Sequence, residues 1–253
     1  MTLGGNVCIR NGDELDYCWR ESVASLLPVC DEVVVCDGES TDGTQEAIRE
    51  WMIKEPKIKL CVYPWPDPKG DINFWVTWLN FARVHIRCDW EIQLDADEVL
   101  SDKSYPEVLV HKEGGRHSVF FKRHNFWQDH KHTIPHGVCL SHRVVRMAPQ
   151  DVWLPSDGPH PMGAEAVSMG VESDIEIFHY GFLRRRAAYF AKSKELHRMF
   201  FDTYDQRLAD AEKSGGNWMR EIGGIEWTGN LVDFHGEHPK VIRKWLNERH
   251  YDC

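Results

Sequence analysis

The stretch Ile92-Gln93-Leu94-Asp95-Ala96-Asp97-Glu98-Val99-Leu100 joins an apolar strand directly to two aspartates spaced one residue apart. Side chains i and i+2 of an extended segment lie on the same side, so we expect Asp95 and Asp97 to face one point. Mg²⁺ usually takes one or two protein carboxylates and keeps its other positions for water and substrate phosphates. The pattern therefore predicts a divalent cation site for a bound diphosphate. Taken alone, such a pair is also typical of a solvated acidic turn.

A second informative stretch lies upstream, in Glu32-Val33-Val34-Val35-Cys36-Asp37. A short apolar run of this kind is typical of a strand buried on both faces. Residues 38–44 follow it and are rich in turn formers and helix caps. A helical spacing then begins with Ile48, Trp51 and Met52. Asp37 is therefore expected at the carboxyl end of a central strand, where open α/β sheets bind their ligands.

The same alternation of strands and helices runs through the first hundred residues. Apolar runs predict strands at 6–10, 32–37, 58–63 and 90–94. A first helix is expected after a capping turn at 11–13 and is stopped by Pro28. Further helical spacings occur at 74–82, from 189 to about 211, and at 241–246. Alternation of this kind predicts an α/β fold with a mainly parallel sheet flanked by helices.

Three motifs in this order resemble the family 2 glycosyltransferases of the GT-A fold. They are Asn11-Gly12-Asp13-Glu14, the run at 34–44, and Leu94-Asp95-Ala96-Asp97-Glu98. A fainter likeness, in Phe178-His179-Tyr180-Gly181, is to small bacterial transferases of the lipopolysaccharide-core type. The resemblance implies a GT-A, Rossmann-like mainly parallel sheet with a helical C-terminal segment. It also implies one domain over residues 1–253, with a nucleotide-sugar half at 1–100 and an acceptor half at 101–253.

The resemblance implies a UDP-sugar donor held with Mn²⁺ or Mg²⁺. Asp95, Asp97 and His179 would hold the metal, and a neutral imidazole beside carboxylates is an acceptable ligand for Mn²⁺. Asp95 would also approach the ribose, and Asp37 would accept a hydrogen bond from the uracil ring. The other positions implied at the nucleotide are Asn11, Glu14, Gly38 and Ser40. His179 is equally compatible with a structural histidine beside an apolar run.

The chemistry of such a transfer needs positive charge at the diphosphate and one base. A bound cation stabilises the charge that builds on the leaving phosphate. Arg184 and Arg186 are candidates to add fixed positive charge, although they equally fit a solvated helix start. An inverting transfer also needs a carboxylate that takes the proton of the attacking hydroxyl. Asp157 is the first candidate because prolines and a glycine surround it, and Glu165 and Asp129 follow.

Composition limits the partners and the location that we expect. The formal net charge of -10 disfavours a broad nucleic-acid surface and predicts that a diphosphate bound at aspartates needs a cation between them. We expect a saccharide, a lipid-linked molecule or another hydroxyl compound as the acceptor. No apolar run has the length of a membrane span, and the first strand follows Met1 almost directly. A cytoplasmic protein with free thiols is therefore expected.

Two features leave alternatives open. Histidines 124, 130, 132 and 136 have a spacing that can bind zinc, but structural zinc sites normally include cysteine, and only Cys139 is near. We favour a loop over the acceptor cleft, in which Phe126 and Trp127 either stack on a sugar or belong to the core. A basic patch at Arg116, Lys122, Arg123, Lys131 and Arg143 keeps open a phage-type transfer to a hydroxymethylated DNA base. A catalytically inactive nucleotide-sugar binding module is the alternative from another class.

Overall fold

The computed structural model describes residues 1–65, 74–115, 117–127, 129–135, 143–150, 170–200 and 230–248. The strands are β1 Leu3–Ile9, β2 Glu32–Asp37, β3 Ile58–Val62, β4 Trp90–Asp95, β5 Glu98–Leu100, β6 Ser118–Asn125, β7 His132–Thr133, β8 Arg143–Pro149, β9 Gly170–His179 and β10 Val232–Asp233. The α-helices are α1 Trp19–Leu26, α2 Thr44–Lys54, α3 Phe74–Arg83, α4 Tyr105–Lys112, α5 Arg186–Phe200 and α6 Arg243–Asn247. Short 3₁₀ turns cover Asp102–Ser104 and Lys240–Ile242.

Eight strands form one sheet in the order β3-β2-β1-β4-β8-β6-β9-β5. The first four strands along the chain, β1 to β4, pair in parallel in the order β3-β2-β1-β4. Their register aligns Ile9 with Asp37 and Cys8 with Asp95, so the chain leaves β1, β2 and β4 at the same edge of the sheet. The predicted α/β fold with a mainly parallel sheet is confirmed.

The second half of the sheet contains most of the antiparallel pairing. β8 pairs antiparallel with β4 and β6, β9 pairs parallel with β6, and the short β5 pairs antiparallel with β9. In this last ladder Glu98 lies opposite His179, and the Tyr180 amide donates to the Asp97 carbonyl oxygen at 2.8 Å. The pairing therefore brings the turn after β4 beside the end of β9.

The predicted start of the first helix is wrong. The helix begins at Trp19 instead of directly after residues 11–13. Asn11 and Asp16 have φ angles of 48° and 56°, which a right-handed helix does not allow. The Asp13 carboxylate holds this loop by accepting from Trp19 Nε1 at 2.9 Å and from the Arg20 guanidinium. Residues 11–17 therefore form a loop at the edge of the sheet.

Phe126 and Trp127 are core residues and do not offer exposed faces to a sugar. Their exposed fractions are 0% and 1%. Phe126 packs with Phe178, Tyr180 and the rings of the C-terminal segment, and Trp245 and Leu246 of α6 belong to the same buried cluster. Of the two uses left open for these aromatic residues, the structure supports packing. Phe126 thereby anchors residues 230–248 against the sheet.

The described cysteines are all free thiols, as predicted. Most of them are buried in the sheet and in the helices packed on it. Within the described residues, no helix combines the length and the apolar composition needed to cross a lipid bilayer.

Candidate active site

A cavity of about 530 Å³ opens at the edge where β1 and β4 end. This volume lies within the range of pockets for small ligands, and its position is where open α/β sheets bind them. Loop 10–17, α3, the turn after β4, the end of β9 and α5 all contribute to its wall. The lining residues are Cys8, Ile9, Arg10, Asn11, Glu14, Leu15, Tyr17, Trp65, Trp75, Trp78, Leu79, Asp95, Ala96, Asp97, His179, Ala191, Lys192 and Glu195.

Asp95 is the last residue of β4, and its side chain is 47% exposed. Arg146 Nη2 donates to Asp95 Oδ2 at 2.7 Å, and Gln93 Nε2 donates to Oδ1 at 3.2 Å. Desolvation raises the pKa of Asp95, but Arg146, Arg123 and the Gln93 hydrogen bond together outweigh this effect, so the net pKa lies below its usual value. Asp95 is therefore an ionised group at the cavity wall with one oxygen tied to an arginine.

Asp97 lies in the turn that follows and is almost buried, with a side chain 7% exposed. Arg184 Nη2 donates to Asp97 Oδ2 at 2.5 Å, and Lys192 Nζ lies 3.4 Å from the same oxygen. Burial alone would raise the pKa of Asp97, but Lys192, His179 and Arg184 together hold it far below its usual value. Its other oxygen, Oδ1, faces His179.

His179 Nε2 lies 3.6 Å from Asp97 Oδ1, which is too long for a hydrogen bond. Burial lowers the pKa of His179 to about 4, so the ring is neutral at pH 7. Its Nδ1 is buried without a hydrogen-bond partner among the described residues. With the proton on Nδ1, the Nε2 lone pair faces a carboxylate oxygen. Asp97 and His179 are therefore close enough to bind one divalent cation after a small approach, but among the described residues Asp95 does not join them as the predicted third ligand.

The local charge differs from the overall acidity of the chain. Three carboxylates, Asp95, Asp97 and Glu98, form ion pairs with four cations, which are Arg123, Arg146, Arg184 and Lys192. The expectation that the net charge makes a metal necessary is therefore wrong, because these aspartates already have cationic partners. Any metal requirement has to follow from Asp97 and His179 themselves.

The predicted nucleotide contacts fall into two groups. Asn11 and Glu14 line the cavity. Asp37, Gly38 and Ser40 are not among its lining residues. Asp37 is fully buried and accepts from the Ser40 amide at 3.0 Å, from Ser40 Oγ at 2.5 Å and from Gln45 Nε2 at 2.8 Å. Its carboxylate therefore holds the turn after β2, and the bond to uracil stays a prediction.

Of the three predicted catalytic carboxylates, only Asp129 is among the described residues, and it does not line the cavity. Asp157 and Glu165 lie outside the described residues. Asp129 is described, but its carboxylate accepts from the Lys131 and His132 amides at 2.7 and 3.0 Å and from His132 Nδ1 at 2.8 Å. It stabilises a turn away from the cavity lining.

Arg184 is a buried structural cation. Besides Asp97, it donates to the Leu15 and Gly181 carbonyl oxygens at 2.7 and 2.9 Å. Its guanidinium carbon lies 3.6 Å from the Tyr17 ring centroid. The interpretation as a solvated helix start is therefore wrong for Arg184. Arg186 is the first residue of α5, and its side chain is not among those that the structure describes.

The histidine cluster does not form a metal site among the described residues. His124 Nε2 lies 2.8 Å from Glu176 Oε1, and His132 lies between Asp129 and Asp233. His136 is outside the described residues. In the basic patch, Lys122 pairs with Asp174, and Arg123 pairs with the buried Glu98 at 3.2 Å. Two of its charges are therefore already neutralised, which weakens the case for DNA.

Sequence reasoning missed two cations at the site, Arg146 and Lys192. Arg146 lies inside the apolar run Arg143-Val144-Val145-Arg146-Met147 and is buried with 2% of its side chain exposed. A charge in such a strand signals a buried partner of opposite charge. Lys192 shares one face of α5 with Ala188 and Glu195 by helical spacing. The aromatic wall of Trp65, Trp75 and Trp78 was also not assigned to the site.

Comparisons with known proteins identify similar structures but no sequence relative. No protein-family model matches the chain, and no curated protein matches it. A crystal structure of S. aureus TarS 1-349 in complex with UDP has a TM-score of 0.50 and 12% identity, over 88% of this chain and 80% of that one. Another TarS 1-349 structure has a TM-score of 0.49 and 14% identity, and 78% of this chain covers 66% of it.

A mannosyltransferase, PcManGT from Pyrobaculum calidifontis, was solved with GDP-Man and Mn²⁺ and has a TM-score of 0.49 at 15% identity, over 88% of this chain and 68% of that one. At these identities the likeness concerns the fold. The similarity in fold is that to the TarS structure in complex with UDP, at a TM-score of 0.50. The chain has the GT-A-like fold of glycosyltransferases.

Proposed function

We propose that this chain is a metal-dependent, inverting glycosyltransferase that moves a sugar from a UDP-sugar to an acceptor hydroxyl. The observation that carries the proposal is the pair formed by Asp97 Oδ1 and the neutral His179 Nε2, 3.6 Å apart at the cavity wall. This pair offers a carboxylate and an imidazole to one divalent cation, either Mn²⁺ or Mg²⁺. The TarS structure of similar fold holds UDP, which supports the choice of donor.

The cavity offers distinct surroundings to the two ends of a nucleotide sugar. Asn11, Glu14 and Arg10 present polar groups at one side, and the Arg10 guanidinium carbon lies 4.3 Å from the Trp65 ring centroid. Asp95, Asp97, His179 and Lys192 form the charged side. We infer that the base and ribose lie along the first side and the diphosphate along the second.

The residues of the charged side have separate tasks in the transfer. A divalent cation at Asp97 and His179 would stabilise the charge on the departing diphosphate. Arg146 and Arg184 keep the two aspartates ionised and fix their direction. Lys192 Nζ adds a positive charge within the cavity. A carboxylate on the acceptor side then removes the proton of the attacking hydroxyl, and Asp157 and Glu165 remain the proposed candidates.

The acceptor is proposed to be a saccharide or a lipid-linked hydroxyl compound. Transfer to DNA is disfavoured because Lys122 and Arg123 are engaged by Asp174 and Glu98. An inactive binding module is disfavoured because Asp95, Asp97 and His179 all line the same cavity.

Calorimetric titration with UDP tests the proposal. We expect the parent protein to bind UDP with MnCl₂ and to lose more than about tenfold in affinity in EDTA and in Asp97→Asn, since even indirect ligand partners affect metal binding by that much. Asp174→Asn is the matched control, because Asp174 is exposed on β9 and lies away from the cavity. Equal affinity in EDTA, and in Asp97→Asn with MnCl₂, would exclude metal dependence.

A further inference from the structure

Lys192 has an unusual position for a lysine, at the wall of the cavity and beside a nearly buried aspartate. Its Nζ lies 3.4 Å from Asp97 Oδ2 and 5.0 Å from the Tyr17 ring centroid. The lysine side chain is 26% exposed, whereas that of Asp97 is 7% exposed. The contact to Asp97 is longer than the 2.7–2.9 Å typical of a charge-assisted hydrogen bond. Lys192 is therefore a close counter-ion of Asp97 that is not firmly bonded to it.

Arg184 contacts the same oxygen but is held very differently. Its guanidinium makes three hydrogen bonds, to Asp97, Leu15 and Gly181, and is only 1% exposed. Moving it would leave a buried charge and two carbonyl oxygens without their donors, which is costly. A lysine ammonium on its flexible four-carbon stem can turn toward the cavity at much lower cost. Of the two cations on Asp97 Oδ2, Lys192 is the one free to exchange.

A divalent cation between Asp97 and His179 would lie on the other oxygen of the same carboxylate. Its distance from Lys192 Nζ would be shorter than a Debye length of about 8 Å, so salt would screen the repulsion only in part. Arg184 already neutralises the carboxylate on the Oδ2 side. Lys192 and a divalent cation would therefore repel each other when both are close to Asp97.

We propose that Lys192 and the divalent cation are alternative partners of Asp97. The lysine holds the carboxylate in the metal-free protein and turns to the diphosphate of the donor when the metal binds. This inference rests on the proposed function and adds a residue that stabilises the leaving group. Lys192 then contributes its charge where negative charge develops, which is the position at which a fixed cation lowers the barrier most.

The test measures metal binding and nucleotide binding separately. MnCl₂ alone is titrated into the parent, Lys192→Met and Lys194→Met, and free Mn²⁺ is read by electron paramagnetic resonance. Lys194 lies on the same helix and is exposed, so it controls for the loss of one positive charge. We expect Lys192→Met to bind Mn²⁺ about tenfold more tightly, because one repelling charge near the site is gone. Lys194→Met should match the parent.

UDP is then titrated calorimetrically at saturating MnCl₂. We expect Lys192→Met to bind UDP about tenfold more weakly and Lys192→Arg to recover most of this loss, since a charged contact to phosphate is removed and then restored. A lysine with only a structural role would shift both affinities in the same direction. Mn²⁺ affinity that is unchanged or lower in Lys192→Met overturns the exchange, and unchanged UDP affinity overturns the phosphate contact. A parent that binds neither Mn²⁺ nor UDP overturns the proposed function as well.

Discussion

Arg146 Nη2 lies 2.7 Å from Glu98 Oε1 at a point where neither side chain reaches solvent. The same nitrogen also lies 2.7 Å from Asp95 Oδ2. Burial raises the pKa of Glu98, and Arg146 is the main group that opposes this rise. One arginine on β8 therefore supports both β5 and the end of β4, and through them the cavity wall.

Replacing Arg146 should destabilise the protein strongly. We expect Arg146→Met to lower the free energy of unfolding by up to about 3–5 kcal/mol, because it removes the nearer counter-ion of the buried Glu98 and leaves only Arg123, at 3.2 Å. Urea unfolding followed by circular dichroism measures this change. Adding Glu98→Leu to Arg146→Met should restore part of the stability, since the double variant no longer buries the Glu98 carboxylate. A single variant as stable as the parent would show that the ion pair does not support the sheet.

Asp37 should affect stability as well as nucleotide binding. Asp37→Ala removes the acceptor of Ser40 and Gln45, and each donor left without a partner in the interior costs about 1–3 kcal/mol. We expect a lower free energy of unfolding and a weaker affinity for UDP, measured by urea unfolding and by calorimetry. A variant with parental stability that loses UDP affinity, while keeping its affinity for inorganic pyrophosphate, would instead support a direct contact with uracil.

Gly38 should tolerate no side chain, although it does not line the cavity. A Cβ atom at Gly38 would lie 2.6 Å from Trp65 Cε3. Trp65 forms part of the cavity wall and carries the Arg10 guanidinium 4.3 Å from its ring centroid. We expect Gly38→Ala to displace this ring, weaken UDP binding and cost about 1–3 kcal/mol of stability. Gly114→Ala is the control, because the nearest atom to its Cβ would be 3.4 Å away.

His238 should make the protein less stable in acid. Burial lowers the pKa of His238 from 6.5 to about 4, and its ring contacts Tyr180 Oη and the His130 carbonyl oxygen, each at 2.8 Å. Between pH 6.5 and 4 the unfolded chain therefore binds a proton that the folded protein does not, so stability falls as the pH falls through this window. His238→Gln should flatten the fall in Tm from pH 7 to 4. The exposed His235→Gln should keep the parental slope.

Asp157 is the proposed catalytic base. We expect Asp157→Asn to reduce turnover roughly 10²- to 10⁴-fold while UDP affinity stays at the parental value. Transfer assayed with a panel of UDP-sugars, together with calorimetry, separates the two effects. If this variant keeps the parental turnover, Glu165 becomes the candidate for the catalytic base. Asp129→Asn should lose stability rather than turnover, because Asp129 binds the turn that carries His132.

The secondary structure of the first hundred residues was predictable because it follows from local sequence patterns. The apolar run at 32–37 predicted β2 with its observed bounds, since a strand buried on both faces is an uninterrupted apolar segment. The helical spacing of Ile48, Trp51 and Met52 predicted a helix there, which is α2. The start of α1 was missed because positive φ angles in loop 11–17 are not visible as periodicity. The order of the strands beyond β4 could not be predicted, because β8 and β9 pair with strands that are distant in the sequence.

Site residues that belong to sequence motifs were predictable. Site residues that are distant in the sequence and come together only in the fold were not. Asp97 and His179 were identified from motifs, and the structure places them side by side. Arg146 and Lys192 lie 51 and 95 residues from the aspartates that they contact, so no local spacing signals them. Asp37 shows the opposite case. Its motif position at a strand end predicted a contact with the nucleotide, whereas in the structure Ser40 and Gln45 donate to its carboxylate.

The ladder between β5 and β9 has an evolutionary consequence. His179 is positioned by its pairing opposite Glu98, directly after the turn that carries Asp97, so a shift of one residue in this ladder would turn the imidazole to the opposite face. Evolutionary changes elsewhere in the chain that keep the three residues of β5 in register with β9 therefore keep Asp97 beside His179.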